Sequence, residues 1–469
     1  MNSFLSCAKK FVIDRVNFRG EGLAYGEDHK IYRIANALEG ETVLAVEASL
    51  ERRRQAYLQE VVSPSPERIQ PQCPHWRRCA MCQLSCMAYA SQIAQKEKQW
   101  RRLLEKFLDL SKISNKIIFK RALYEYGYRN RCEGTVFGDV IGMMPRSDAC
   151  VAEMSQLEGQ ESISPIPLSS CALHRPELNA LIQRVEAVLP ECGFPKGTRL
   201  SFEANDAVLG ARFQAESMSS SRVIVYGSYV ERERARSAAV CLGRALEASV
   251  VFQELPPHGS HVYPPAESIS GNAWYAYDSD GAGNVLCALK GAWTPVNPLH
   301  AHQIRQTLEE MVANCLFEHC LEIGCGCGTH TDVLTRRSTR YTGIDASWNA
   351  IQSAQFNASN AEKWQNVAFY TDTAEHYLDK RYYKGIRADG ILLHSNRMPY
   401  SRKTAELCLR FGANTIFIVA PTAYALAQEC RHFCDLGLTL ESLVLCDTLP
   451  MSYHMMGVAK LRKRPEELG

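Results

Sequence analysis

LEIGCGCGTHTDVL, Leu321 to Leu334, is the stretch from which the fold of this chain is read. An apolar run closes at Glu322 and Ile323, glycines follow at 324, 326 and 328, and a helix-like segment begins beyond them. Asp345 closes the next apolar stretch, YTGID. Strand, glycine turn, helix, strand and acid make half of a doubly wound α/β sheet. Glycine lets backbone approach a ligand closely, and an acid ending the second strand suits a pair of ribose hydroxyls. The competing reading is a purely structural turn, and the surrounding chain has to decide between them.

The order GxGxG followed by Thr329 departs from the GxGxxG dinucleotide fingerprint. It resembles the motif of class I S-adenosylmethionine (SAM) methyltransferases. The resemblance implies a Rossmann-like core in which Gly324, Gly326 and Gly328 cradle SAM. Glu322 would face its methionine part and Asp345 its ribose. Asp372, closing the strand after Asn366-Val367, would stand on the adenine side. The bland alternative for these acids is a helix N-cap or a strand-end turn.

Working outward, the 469 residues suggest about three domains. Hydrophobic content of 46% with 22% charge fits a globular protein, and the net charge of +2 excludes a globally basic body. Any polyanion must therefore meet a local basic patch. No run approaches the roughly 18 apolar residues of a membrane span, and MNSFLSCAKKFVIDRVNF carries charges where a signal peptide keeps its apolar core. A cytoplasmic, monomeric protein with no membrane partner is expected. Nineteen cysteines are many for a reducing compartment. Most should be buried hydrophobes, while a clustered few could hold metal.

Residues 1–70 alternate short β-rich runs with turns near Gly20, Gly26 and Gly40, the pattern of a small antiparallel barrel. Glu51-Arg52-Arg53-Arg54 would touch phosphate or simply protect an edge strand. QCPHWRRCAMCQ then sets Cys73, Cys79 and Cys82 in a C-x5-C-x2-C array. Three soft ligands in ten residues signal metal, zinc or iron–sulfur, with a fourth ligand among Cys86, Cys132, Cys150 and Cys171. MAYASQIAQKEKQWRRLLEKFL reads as a long amphipathic helix whose Lys96, Lys98, Arg101 and Arg102 would lie along RNA or form a solvated face. Residues 176–290 mix helical and β-rich runs, an α+β domain with paired strands. His258, His261 and Glu267 could be drawn as a metal site, but the prolines around them favour a surface loop.

Glu21-Gly22, the Asn36–Glu41 segment and Ser65-Pro66-Glu67-Arg68 resemble the OB-like TRAM domain. Together with the cysteine array and Tyr128-Arg129-Asn130-Arg131, they give the chain the layout of the RNA uracil-5-methyltransferases that carry a [4Fe–4S] cluster. That resemblance implies Cys171, in SSCALHRPELNALI, as the fourth ligand beside Cys73, Cys79 and Cys82, with Cys86 packed on the following helix. It also implies interleaved domains: the barrel at 1–70, an iron–sulfur central domain at 71–90 and 118–290, and the methyltransferase domain at 91–117 and 291–469. RNA, ribosomal or transfer, is the implied partner, with Arg129, Arg131 and Arg397 as contacts.

At the implied reaction centre the chain departs from this family. Uracil C5 is a weak nucleophile, and the family adds a cysteine thiolate at C6 before methyl transfer, then removes the C5 proton with a carboxylate. The cysteine belongs to a VSCNPxTLARD-like motif, which here reads VAPTAYALAQE with Pro421 in its place. The base belongs to DxFPxTxHxE, here DTLPMSYHMM, where Asp447, Pro450 and His454 match and Met456 replaces the glutamate. DPPR becomes His394-Ser395-Asn396-Arg397, and FxQVN becomes WTPVN with Pro295 for the glutamine. Cys430 and Cys434 lie too far along the following helix to substitute. His394, His454 and Asp447 remain as possible acid–base groups. The expectation is a SAM-dependent RNA methyltransferase with a diverged site, acting on an atom that needs no thiolate. The alternatives are a catalytically inactive RNA-binding homologue that keeps SAM and the cluster, and a cluster-bearing redox sensor.

Overall fold

A computed structural model describes residues 8–47, 54–111, 113, 117–154, 163–205, 220–256, 265–280, 283–361 and 364–463. The chain divides into two compact units, Met1–Gln99 with Val140–Ala172 and Leu449–Tyr453, and Trp100–Asp139 with Leu173–Thr448 and His454–Gly469.

In the first unit, strands β1 (Lys9–Val16), β2 (Glu21–Tyr25), β3 (Ile31–Ala35), β4 (Thr42–Glu47) and β5 (Gln55–Ser63) close into a barrel of order β1-β2-β3-β5-β4. The period-2 alternation puts Phe11, Ile13, Ala24, Tyr32, Ile34, Val43, Ala45, Ala56 and Leu58 inside. The barrel is not wholly antiparallel, because β3 and β5 pair in parallel. The residues that carried the TRAM resemblance meet at one node. Buried Glu41 accepts the Leu38 N–H at 2.8 Å and the Ser65 N–H at 3.1 Å, while Arg68 donates to Glu41 and to the Asn36 carbonyl, each at 2.7 Å. Arg54 is taken up by Asp28 at 2.6 Å, and Glu51 to Arg53 lie outside the described residues. Helix α1 (Tyr89–Leu104) begins in this unit.

The second unit contains two sheets and a hairpin. Strands β6 (Arg131–Phe137), β7 (Arg199–Ala204), β8 (Ser221–Gly227), β9 (Ser249–Glu254) and β10 (Glu267–Ser270) run in the order β10-β9-β8-β7-β6. Helices α2 (Pro176–Cys192) and α3 (Arg232–Ala245) contact that sheet. Their buried leucines and alanines supply the apolar stripe, as the helical periodicity requires. Glu267 pairs with Arg236, and His258 and His261 fall outside the described residues. Hairpin β11 (Trp274–Ser279) and β12 (Val285–Leu289) is followed by α4 (Pro298–Val312).

The second sheet holds β13 (Phe317–Ile323), β14 (Ser338–Asp345), β15 (Val367–Thr371), β16 (Gly390–His394), β17 (Thr415–Ala420), β18 (Leu438–Cys446) and β19 (Met456–Lys463). Its order is β15-β14-β13-β16-β17-β19-β18, extended by the short strand Ile117–Lys120 parallel to β18. Neighbours among β13 to β17 are parallel and β19 is antiparallel. Helices α5 (Thr331–Thr335), α6 (Trp348–Ser359), α7 (Ala374–Tyr382), α8 (Arg402–Arg410) and α9 (Ala423–Asp435) connect them. Apolar cores form around buried β-strand residues, one with Ile323, Leu393 and Ile418, another with Cys320, Leu392, Phe417 and Val419. Successive strand residues face opposite sides, so near-continuous apolar strands such as TIFIVA supply both cores. Ser347, Ser401 and Thr422 cap their helices by accepting the N–H three residues on.

Candidate active site

The strand order reverses between β13 and β16, and the carboxyl ends of those strands form the switch point where open α/β sheets bind ligands. Gly324 has φ +78°, and a Cβ there would lie 2.7 Å from the His394 carbonyl oxygen. Gly326 has φ +55°, and a Cβ there would meet nothing within 4 Å. The first glycine lets two backbones touch, and the second keeps space open in front of the turn. The Gly326 N–H donates to an Asp345 carboxylate oxygen at 3.0 Å, and the other oxygen accepts the Ser347 N–H at 2.8 Å. Asp345 therefore closes the turn and caps the start of α6 at once. Asn357 of α6 braces the turn from behind, donating to the Cys327 carbonyl at 2.9 Å and to the Cys287 carbonyl at 3.0 Å.

Glu322 has no exposed surface. One carboxylate oxygen accepts the Tyr341 hydroxyl at 2.5 Å, and the other, Oε1, has no hydrogen-bond partner. Burial pushes the carboxyl up to about 8, against the help of Tyr341 and with some repulsion from Asp345. A buried carboxylate oxygen without a partner is costly, and a hydrogen-bond donor reaching it would relieve that cost. Asp372 is less free. Its side chain accepts the Thr373 N–H at 2.8 Å and meets His376 Nδ1 at 2.7 Å, so much of its capacity goes to the start of α7.

The register places the family-motif positions together. Ala420 pairs with Gly457, so Pro421 and Met456 are the residues just beyond that pair. His394, at the end of β16, stands opposite Val419 of β17, and the Ser395 N–H donates to the Val419 carbonyl at 2.8 Å. His394 is partly buried, its ring 5.8 Å from Trp293 and 5.3 Å from His330. Desolvation lowers His394 to about 4 and holds His330 well below its ordinary value, assisted there by the neighbouring His394 and Arg305 charges. Both imidazoles are neutral at physiological pH. Asp447 is fully buried with its N–H on the Lys120 carbonyl, and His454 is partly buried.

Buried thiols give no replacement nucleophile by their ionisation. Desolvation raises Cys446 to about 12 and drives Cys408 and Cys430 far above the usual thiol range. One acid in this neighbourhood was missed from the residues alone. Glu429, inside the helix read only as VAPTAYALAQE, is buried and accepts the Ser395 hydroxyl and, at 2.7 Å, the Tyr400 N–H. It ties Ser395, in the segment that replaces DPPR, to Tyr400 beyond that segment, and burial raises it to about 7. Its helical position gave no signal, because a glutamate in an amphipathic helix usually faces water. His330 and Trp293 were also missed: both lie inside quoted motif stretches, but at positions given no role there.

In the first unit, Cys79 has its pKa raised by burial and then by the neighbouring Cys171 and Cys73 thiols. Two of the other three expected ligands, Cys171 and Cys73, thus lie near Cys79. Among the described residues, however, no group of three or more His, Cys, Asp or Glu side chains is close enough to hold a metal ion. Cys86 stands apart, but in the barrel core with Trp76 and Met87, and not on the following helix as the sequence suggested. Its thiol donates to the Asn36 carbonyl at 3.5 Å.

Of the basic residues of α1, Arg102 is exposed and Lys98 is largely exposed, as a solvated face would have them, whereas Lys96 is not. Lys96 is 2% exposed and reaches the Leu449 carbonyl at 3.4 Å, Lys98 pairs with Glu39, and Arg101 lies over Phe119. Of YRNR, Tyr128 and Asn130 are buried. Arg129 is partly buried, and Arg131 donates to Thr294 at 3.4 Å. Arg397 is exposed, with its carbonyl accepting the Thr422 hydroxyl at 3.4 Å.

A family model described as a methyltransferase domain matches residues 318–443. The crystal structure of Pyrococcus abyssi tRNA (uracil-54, C5)-methyltransferase in complex with S-adenosyl-L-homocysteine superposes with a TM-score of 0.68 at 16% identity. It covers 97% of this chain and 100% of that one. The fold is that of a class I methyltransferase with an N-terminal OB-like barrel.

Vibrio cholerae 23S rRNA (uracil(1939)-C(5))-methyltransferase RlmD is 24% identical over 461 residues, 96% of this chain and 95% of its own. An RNA methyltransferase of Thermosynechococcus vestitus is also 24% identical, over 453 residues and 96% of both chains. Over nearly its full length the chain is similar to RNA uracil-C5-methyltransferases. Among the described residues no helix is long and apolar enough to cross a membrane.

Proposed function

We propose that this protein is a SAM-dependent RNA methyltransferase whose reaction centre has left uracil-C5 chemistry. The observation that carries this is Pro421. The residue beyond β17, where the family chemistry needs a thiolate, has no sulfur, and Met456 beside it cannot take a proton. A SAM cradle is supported by contrast by the open face of Gly326, the orphan oxygen of Glu322 and the Gly326 N–H on Asp345, which would meet the ribose. Glu322, Gly324, Gly326, Gly328 and Asp345 would hold SAM, with Asp372 at the adenine end. SAM supplies an electrophilic methyl group. A ring nitrogen, exocyclic amine or hydroxyl has a lone pair and needs no covalent adduct, only positioning and a proton acceptor. His394, neutral and at the strand end, is the acceptor we assign; His454 and Asp447 are further from a defined role.

RNA as substrate rests on the relatives, with Arg129, Arg131 and Arg397 as contacts. The barrel would act as a TRAM module, and Cys73, Cys79, Cys82 and Cys171 would hold a [4Fe–4S] cluster, a reading supported by the mutual influence of Cys79, Cys171 and Cys73. We assign 1–70 to the TRAM module, 71–90 with 118–290 to the central domain, and 91–117 with 291–469 to catalysis. The working protein is a cytoplasmic monomer.

A second reading, a non-catalytic RNA binder that retains SAM, is favoured by the low basicity of His394. Incubation of anaerobically purified protein with methyl-tritiated SAM and total RNA, followed by nucleoside analysis, separates the two. Label in an N- or O-methylated nucleoside supports the proposal. 5-Methyluridine overturns the departure from uracil C5, and SAM binding without label selects the second reading.

A further inference from the structure

The methyltransferase sheet carries a basic, aromatic surface at the end opposite the reaction centre. Residues 380–388 read KRYYKGIRA, with Lys380, Arg381, Lys384 and Arg387 and no acid. They leave the C-terminus of α7 and lead back to the start of β16. The parallel strands have their glycine turn and Pro421 at the other end, so the start of β16 lies about a strand's length from the site, roughly 17 Å for five residues, while Arg381 reaches back to Tyr370 near the carboxyl end of β15.

Guanidinium groups here are laid on tyrosine rings. Arg381 stands 4.7 Å from the Tyr370 ring and 5.4 Å from Tyr377, Arg387 4.1 Å from Tyr382, and Arg410 4.6 Å from Tyr382 and 6.0 Å from Tyr383. Tyr383 is 76% exposed and Tyr370 37%. Such stacks hold cations flat at the surface and leave ring faces and edges available beside them.

The nearby acids are committed elsewhere. Asp379 pairs with Arg410, Asp389 accepts the backbone N–H groups of Glu318 at 3.2 Å and His319 at 2.9 Å, and Glu375 takes Ser401 and Lys403. Part of the basic charge has a local purpose. Lys380 and Arg381 sit in the last turn of α7, where cations oppose the helix dipole. Arg387 donates to the carbonyls of Tyr382 at 3.1 Å and Ile386 at 2.9 Å. Neither purpose accounts for Lys384 or for the exposed ring of Tyr383.

The geometry points to an RNA-contact surface here, in which Lys380, Arg381 and Lys384 take backbone phosphates and Tyr383 stacks on an unpaired base. It rests on the RNA reading above and extends it to a face remote from the chemistry. Phosphate contacts position an RNA without reading its sequence, and base–aromatic stacking tolerates any base. The surface would thus anchor a flank of the substrate while another part enters the reaction centre.

The test compares full-length wild type, the triple variant Lys380→Ala/Arg381→Ala/Lys384→Ala, and Tyr383→Ala. A charge-matched control, Arg232→Ala/Arg234→Ala/Arg236→Ala, removes α3 cations that are already paired with glutamates. Binding of labelled 23S rRNA fragments and total tRNA is measured against salt. The triple variant should bind at least about tenfold more weakly, with a log–log salt slope shallower by about 2 to 3. Tyr383→Ala should weaken binding about five- to a hundredfold. The control should match wild type, and SAM affinity should be unchanged in all. Wild type that binds RNA with both variants unchanged overturns this surface alone. Wild type that binds no RNA overturns the RNA reading and this surface with it. Loss confined to vesicles of phosphatidylserine, with RNA binding intact, overturns RNA as the occupant.

Discussion

Replacing Glu322 with Gln changes one atom and one ionisable proton at the centre of the SAM cradle. The side chain is wholly buried and its carboxyl is raised from 4.5 to about 8. In this window the unfolded chain has released the proton while the folded chain keeps it. Stability is therefore lost as pH rises, by about 1.4 kcal/mol per unit and about 5 kcal/mol in all, as an order of magnitude. Glu429, raised to about 7, acts in the same sense up to that pH. His394 and His330 are lowered, so they add stability as pH rises, but only below the ordinary imidazole range. Between about pH 7 and 8 Glu322 stands nearly alone among these groups. Urea unfolding across that interval should show wild type losing about 1 kcal/mol and Glu322→Gln losing little.

SAM reverses the balance. An ammonium donor at Oε1 favours the carboxylate, so wild-type affinity should rise with pH through the same interval. Gln should bind roughly ten- to a hundredfold more weakly, the worth of a charge-assisted hydrogen bond, with a flat pH profile. Equal pH slopes in the two proteins, or equal SAM affinities, would refute the reasoning.

Three further outcomes are expected. Pro421→Cys/Met456→Glu places a thiol and a carboxylate beyond the Ala420–Gly457 pair, where the proposed function puts the family's nucleophile and base. It should form a gel-stable adduct with 5-fluorouridine-containing RNA, whereas wild type should form none; no adduct in the variant would show that the strand end is misplaced for this chemistry. Cys79→Ala should lose iron on anaerobic purification, and retention of iron by metal analysis would remove Cys79 from the cluster. Glu429→Ala strips the acceptor from the Ser395 hydroxyl and the Tyr400 N–H, and should destabilise the protein by about 2–4 kcal/mol in urea melts. Glu429→Gln, which keeps a carbonyl oxygen for Tyr400, should lose less.

Much of this was legible because the signals were local. The glycine turn needs positive φ at consecutive alternate positions, and only glycine supplies that cheaply, so the motif is written in the sequence itself. The barrel was legible through its period-2 burial, but the parallel β3–β5 pairing was not, because strand alternation does not encode the direction of a partner. Lys96 was misread because helix periodicity assigns a face and not what covers it. Its ammonium meets the Leu449 carbonyl from more than three hundred residues away, a contact no local window contains. Cys86 was correctly set apart from the ligands, yet its neighbours are barrel residues and not the next helix. Glu429, His330 and Trp293 are joined to the site only by tertiary packing.

What the reaction centre lost and what it kept constrain each other. A thiolate at uracil C6 is useful only where a base can later remove the C5 proton, so loss of either partner removes selection on the other. Pro421 and Met456, side by side beyond one strand pair, are what the proposed departure from uracil-C5 chemistry would leave. Loss of SAM binding would relax the cradle in the same way. Instead Asp345 still closes the Gly326 turn, and Asn357 still braces it. Most tellingly, Glu322 still carries a buried orphan oxygen, which weakens the folded state unless a donor arrives. A chain that had abandoned the cofactor would gain stability from Gln or an apolar residue at 322. Its presence supports the proposed SAM site, with the proposed change confined to the acceptor end of the reaction.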